Sequence, residues 1–155
     1  MGLEPYTLAR AVASEYASGN AIEKASIGWA FLNEARRRGK SLTALATLTS
    51  KYGQTNLYGS QEHGRFISTA RDPTKQDAYV ADMILSSAWP DPTGGATKFF
   101  DPATQDAMHA KWVRGETSTR YRSANEIIAK WSADGYRPVT VPGTDASELI
   151  LFVPV

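Results

Sequence analysis

The sequence predicts a mostly helical protein of one domain, closed by a small C-terminal β-hairpin. Three observations predict it. Six segments repeat apolar residues at helical spacing. Proline and glycine stand where helices begin and end, in Asp72-Pro73 and Asp101-Pro102 and at Gly39 and Gly135. The β-rich runs Val139–Val141 and Leu149–Val153 flank a Pro-Gly-Thr-Asp turn near the end of the chain.

The first helix is expected over 5–18, with Leu8, Ala11, Val12 and Glu15 on one face and Gly19-Asn20 ending it. The second, 22–38, is apolar nearly all round (Ala25, Ile27, Trp29, Ala30, Phe31, Leu32), which predicts a buried central helix stopped by Gly39. A short third helix over 41–49 turns Leu42, Leu45 and Leu48 inward. Residues 51–71 show no period and read as a long loop, a feature usually tied to function in a compact domain. Asp72-Pro73 predicts an N-cap with proline at the first helical position, opening a helix to about Trp89 with Ala78, Ala81, Ile84, Leu85 and Ala88 inward. An irregular stretch follows to Pro102. Asp101-Pro102 opens a fifth helix to Val113, and a sixth is expected over 118–133, with Tyr121, Ala124, Ile128 and Trp131 on one stripe and Gly135 as its cap.

Composition bounds the function. At 155 residues the chain is read as a single domain over 1–155, long enough to bury about two-thirds of its unfolded surface without a covalent staple. Cysteine is absent, which excludes disulfides, thiolate metal sites and a cysteine nucleophile. The formal net charge of +1 is too small for wholesale nucleic-acid binding. No apolar run reaches the roughly 18–20 residues of a membrane span. The start Met1-Gly2-Leu3-Glu4-Pro5-Tyr6 predicts neither a secretory leader nor a myristoylation site. His63 and His109 have no partner at metal-ligand spacing, so neither a metal nor another cofactor is expected.

Glu15 is the residue that does not fit its pattern. It falls on the stripe of Leu8, Ala11 and Val12, where burial would raise its pKa toward that of a general acid at neutral pH. The plainer alternative is a helix-end glutamate that swings into solvent. Asn33, a polar residue within the apolar helix, either bonds a neighbouring element or binds a sugar. Thr93-Gly94-Gly95-Ala96 lets backbone approach a ligand closely, and Phe99-Phe100 would offer apolar ring faces to a polysaccharide. The alternative is a tight loop followed by two core aromatics. Arg36-Arg37-Arg38 reads first as positive charge complementing the end of the second helix, and second as a contact for an anionic polymer.

These blocks resemble the SleB-type cell-wall hydrolases, the family named for a spore-cortex-lytic enzyme. The family's opening A-R-A-V-x-x-E stands as Ala9-Arg10-Ala11-Val12-Ala13-Ser14-Glu15. Its hydrophobic helix ending in Asn stands as Ile27-Gly28-Trp29-Ala30-Phe31-Leu32-Asn33, and its glutamine-bearing loop is matched by Tyr52-Gly53-Gln54. The D-P-T/S-G-G-A block is Asp91-Pro92-Thr93-Gly94-Gly95-Ala96, followed by Phe99-Phe100, Asp101-Pro102 and Lys111-Trp112. The sequence departs from the family at Gly19, where a second Glu is common, at the C-terminus, which lacks a His before an aromatic, and in a longer 114–142 segment.

The resemblance implies a lysozyme-like α+β domain acting on peptidoglycan, at the β-1,4 bond from N-acetylmuramic acid to N-acetylglucosamine. It implies a lytic transglycosylase with Glu15 as the one catalytic carboxyl group. Asn33, Gln54, Thr93, Gly94, Gly95, Phe99 and Phe100 would bind the glycan. A muramidase using water would need a second carboxylate, for which Asp72, Asp91 and Asp101 are candidates, Asp72 and Asp101 reading better as N-caps. A non-catalytic wall-binding or virion module is the third reading. An enzyme without a leader would reach the wall in a phage particle, with virion or tail components as partners, or by delivery to the periplasm.

Overall fold

The computed structural model describes residues 3–15, 19–42 and 72–155, without the side chains of Leu3, Ser14 and Glu15. Most of the expected third helix, the loop over 51–71, Gln54 and His63 lie outside the described residues. The described residues are mainly helical, with a three-stranded antiparallel sheet.

Helix α1 (Leu3–Glu15) buries Leu8, Ala11 and Val12, as the stripe predicts, and Ala9 and Ala13 besides. Helix α2 (Ala21–Arg37) is the central helix, buried from Glu23 to Leu32. Its start is set by Asn20, which opens this helix rather than ending the previous one. The Asn20 side chain accepts from Glu23 N–H at 2.9 Å, and the Glu23 carboxylate accepts from Asn20 N–H at 3.1 Å. Its end is the glycine stop expected at Gly39. There φ is +63°, Gly39 N–H bonds Arg36 O and Lys40 N–H bonds Ala35 O.

Helix α3 (Lys75–Leu85) starts two residues later than Asp72-Pro73 suggests. Thr74 is the N-cap, because it and Asp77 satisfy each other's backbone N–H groups. The helix also ends before Trp89, at the Ser86 cap, so its buried face is Asp77, Val80, Ala81 and Ile84, and Ala88 is exposed. The three helices close on one another where Gly28 lets Ile84 approach, since a Cβ there would lie 2.6 Å from Ile84 Cδ1.

Lys24 of α2 and Asp77 of α3 form an ion pair at 2.8 Å within this layer, with side chains only 4% and 1% exposed. Burial would raise the Asp77 carboxyl pKa. The Lys24 ammonium and two hydrogen bonds from Thr74 outweigh burial and hold it below the ordinary value.

The hairpin is present and is part of a larger sheet. Strand β1 (Lys98–Phe100), from the irregular stretch, pairs with β3 (Ile150–Pro154), which pairs on its other side with β2 (Tyr136–Val139), giving the order β1-β3-β2. Strand β2 begins three residues before the expected run because Gly135, at φ +94°, turns the chain directly from the preceding helix. Val141 then accepts from Thr144 N–H, so Pro142-Gly143 occupies the turn. Pro138 is tolerated because β2 is an edge strand.

Alternation divides the sheet. Phe99, Leu151 and Val153 join the core of α1, α2 and α3. Lys98, Phe100 and Phe152 face the other way, where Trp131 packs edge-on against Phe152 at 4.9 Å and Phe100 at 5.5 Å. Trp131 belongs to helix α5 (Ala124–Ala133), which starts at the Ser123 cap, six residues later than expected, and leaves Tyr121 outside it. Helix α4 (Pro102–Val113) has the predicted Asp101 N-cap and Pro102 start, and buries none of its residues.

Candidate functional site

The Asp-Pro-Thr-Gly-Gly-Ala block folds around one carboxylate. Asp91 Oδ1 accepts from Thr93 N–H at 2.8 Å and from the Thr93 hydroxyl at 2.6 Å. Asp91 Oδ2 accepts from Gly95 N–H at 3.0 Å and from Asn33 Nδ2 at 2.9 Å. A carboxylate offers about four acceptor positions, and all are used. Thr93 Oγ1 in turn accepts from Ala96 N–H at 2.9 Å. The chain can reverse between these bonds because Gly94 and Gly95 have φ of +68° and +103°, values that side-chain-bearing residues avoid.

Helix α2 fixes this loop to the core. Asn33 donates from Nδ2 to Asp91 and also to Ala96 O at 3.0 Å, which spends both hydrogens of its amide. One turn earlier, Trp29 Nε1 donates to Trp89 O at 3.0 Å and pins the approach to the loop. Of the two open readings of Asn33, this geometry is that of a residue bonding a neighbouring element. Thr93, buried, has its hydroxyl proton committed inside the loop as well. Gly94 is the exposed member, with nothing within 4 Å of where its Cβ would stand.

The two phenylalanines part company at the strand. Phe99 is buried edge-on against Phe31, their ring centroids 6.0 Å apart, and Phe100 lies half-buried with Trp131 and Phe152. Of the two, only Phe100 is partly exposed. Glu15 is the last residue of α1, and its side chain lies outside the described residues. Gln54 lies outside them too. The structure thus brings Asn33, Thr93, Gly94 and Gly95 into one bonded unit, with Phe99 and Phe100 on the strand that follows.

Asp91, a candidate second carboxylate by residue type, is instead the group that closes the loop. The signal was an Asp two residues before a Thr and a glycine pair, the pattern of a side-chain-closed turn. Asp101 is likewise engaged, accepting from Thr104 N–H and its hydroxyl. Asp72 is exposed and caps no helix. The basic run at the end of α2 is partly balanced by a single carboxylate. Arg37 and Arg38 pair with the buried Glu34, and Arg36 lies over the Trp29 ring.

Among the described residues no group of three or more His, Cys, Asp or Glu could hold a metal ion. Among them, too, no helix is long and apolar enough to cross a membrane. Compared with protein-family models, with curated proteins and with solved structures, the chain matches none.

Proposed function

We propose that this protein is a peptidoglycan lytic transglycosylase with a lysozyme-like architecture, cleaving the β-1,4 bond between N-acetylmuramic acid and N-acetylglucosamine. One observation carries the reading. Two of the sequence blocks that carry the resemblance, the helix ending in Asn33 and the block from Asp91 to Ala96, are joined by the hydrogen bonds of a single side chain. That bonding gives both blocks one physical purpose, to hold an exposed glycine turn rigid beside the core. Such a turn suits a sugar, whose hydroxyl edges bond to backbone and whose ring faces pack on an aromatic such as Phe100.

In this reading Glu15 protonates the glycosidic oxygen as the bond to the muramoyl C1 breaks. The resulting carboxylate then removes the proton of the muramoyl C6 hydroxyl, whose oxygen closes on C1 as a 1,6-anhydro ring. The sugar supplies its own nucleophile, so one carboxyl group serves both proton transfers. A muramidase would need a second carboxylate to activate water. Two of the candidates for that role, Asp91 and Asp101, already accept hydrogen bonds at both oxygens, which favours the one-carboxyl mechanism. The enzyme would act on the cell wall, carried in a phage particle or delivered to the periplasm, with glycan strands as its partner.

Mass spectrometry of muropeptides released from purified sacculi tests the proposal. Products ending in 1,6-anhydro-muramic acid are expected. Reducing muramic ends would replace it with the muramidase reading, and no release at all would leave a wall-binding module.

A further inference from the structure

Lys98 lies at the start of β1, two residues beyond the loop that Asn33 holds. Its Nζ stands 5.0 Å from the ring centroid of Trp131 and 5.0 Å from that of Tyr136. Both rings are half-buried, as is Lys98. The ammonium has no ion-pair or hydrogen-bond partner among the described residues, so the aromatic faces are its stabilising contacts. Burial pushes its pKa below the ordinary lysine value, with Glu34 and Asp134 opposing that fall.

Those two carboxylates do not neutralise it, because each is taken. Glu34 pairs with Arg37 and Arg38, and Asp134 pairs with Lys130 at 2.9 Å. Lys98, Lys130, Arg37 and Arg38 thus face Glu34 and Asp134 with two positive charges in excess. A half-desolvated ammonium has lost part of its water shell. An incoming anion therefore displaces less water on binding it and feels a weaker dielectric screen. The flanking rings of Trp131 and Tyr136 add an apolar surface beside the charge.

We propose that Lys98, with Trp131 and Tyr136, forms a subsite for an anionic group borne on the wall glycan, a carboxylate or a phosphate, next to an apolar portion of the same polymer. The proposal rests on the peptidoglycan reading and deepens it by naming what part of the wall this face takes. Carboxylates of the stem peptide on muramic acid are one source of the group. Phosphodiesters of an attached wall polymer are the other.

Co-sedimentation with purified sacculi tests it, using the Glu15→Gln protein so that the glycan is not consumed. The probes are intact sacculi, sacculi stripped of carboxylate charge by carbodiimide amidation with ammonia, and sacculi stripped of phosphodiester polymers by acid. Adding Lys98→Met should weaken binding to intact sacculi about tenfold, the loss of one charge-assisted contact, while Lys98→Arg keeps most of it. The Lys98→Met defect should vanish on whichever stripped sacculi lack the recognised group. Tyr136→Leu, which removes one ring and no charge, should weaken binding by a smaller factor. Equal binding of the Lys98→Met and parent proteins to intact sacculi would overturn the inference, as would a defect that persists undiminished on both stripped forms. Neither outcome touches the catalytic reading, which stands or falls on the anhydro ends released by the unsubstituted protein.

Discussion

Asn33 and Asp91 are 58 residues apart in sequence and 2.9 Å apart in the fold, donor to acceptor, on the boundary between the central helix and the glycine turn. The Asn33 amide donates to a carboxylate that accepts hydrogen bonds at both oxygens. Asn33→Ala removes this bond and the one to Ala96 O, and should cost about 1–3 kcal/mol by leaving polar groups of a partly buried cluster unsatisfied. Asn33→Asp places a second carboxylate beside Asp91 and should cost more than Ala at neutral pH. Urea unfolding across pH checks this. The gap between Asp and Ala should close as acid protonates the pair.

The ion pair of Lys24 and Asp77 predicts an asymmetric mutational response. Lys24→Met strands a carboxylate that is 1% exposed, and should cost about 3–5 kcal/mol. Adding Asp77→Asn, which keeps an acceptor for Thr74, should recover a large part of that loss. A double variant no more stable than Lys24→Met alone would contradict this account.

The same pair sets a pH dependence. Asp77 titrates below its unfolded value, the ordinary aspartate value of 3.8, so at acid pH the unfolded chain binds the extra proton. Its contribution is fully present above that value and is lost as pH falls through the lower, folded pKa. Unfolding free energies measured between about pH 5 and pH 2 should fall more steeply for the natural protein than for Asp77→Asn.

The glycine turn can be tested without straining it. Gly95→Ala meets little crowding, the nearest side-chain atom being Val153 Cγ1 at 3.9 Å, but φ of +103° strains any residue with a Cβ and should lower the melting temperature. Gly94, at φ +68°, lies in the left-handed region that asparagine tolerates. Gly94→Asn should melt close to the natural protein. If glycan lies on the turn, it should raise KM for soluble strands severalfold with kcat little changed. An unaltered KM would move the glycan elsewhere.

Glu15→Gln should keep the melting temperature and lose about 10²–10⁴-fold in turnover, the worth of a general acid. A folded variant retaining more than about a tenth of the activity would remove Glu15 from that role.

Much of the helical framework was legible because its signals are local. The apolar run through Trp29, Phe31 and Leu32, the stop at Gly39 and the start at Asp101-Pro102 each act within a few residues, and each stands where the sequence puts it. The errors at helix starts were also local, between competing caps. Thr74 wins over Asp72 because only Thr74 has Asp77 three residues on to return its hydrogen bond. The last helix starts later than 118 because Ser123 caps it by accepting from Glu126 N–H, leaving Tyr121 outside the helix.

By itself, then, the sequence determined which of the described segments become helices, which residues of α1 and how much of α2 are buried, and that two strands close the chain. Only the tertiary structure decided that β1 joins them, that Phe99 enters the core while Phe100 does not, and that Asn33 bonds Asp91 and Lys24 bonds Asp77. The physical reason is the range of the forces. Helical hydrogen bonds and caps close between near neighbours in sequence, so their residue types mark the place. A buried amide, carboxylate or strand edge must be satisfied by whatever group the packed core brings within about 3 Å, and nothing in the neighbouring residues names that group.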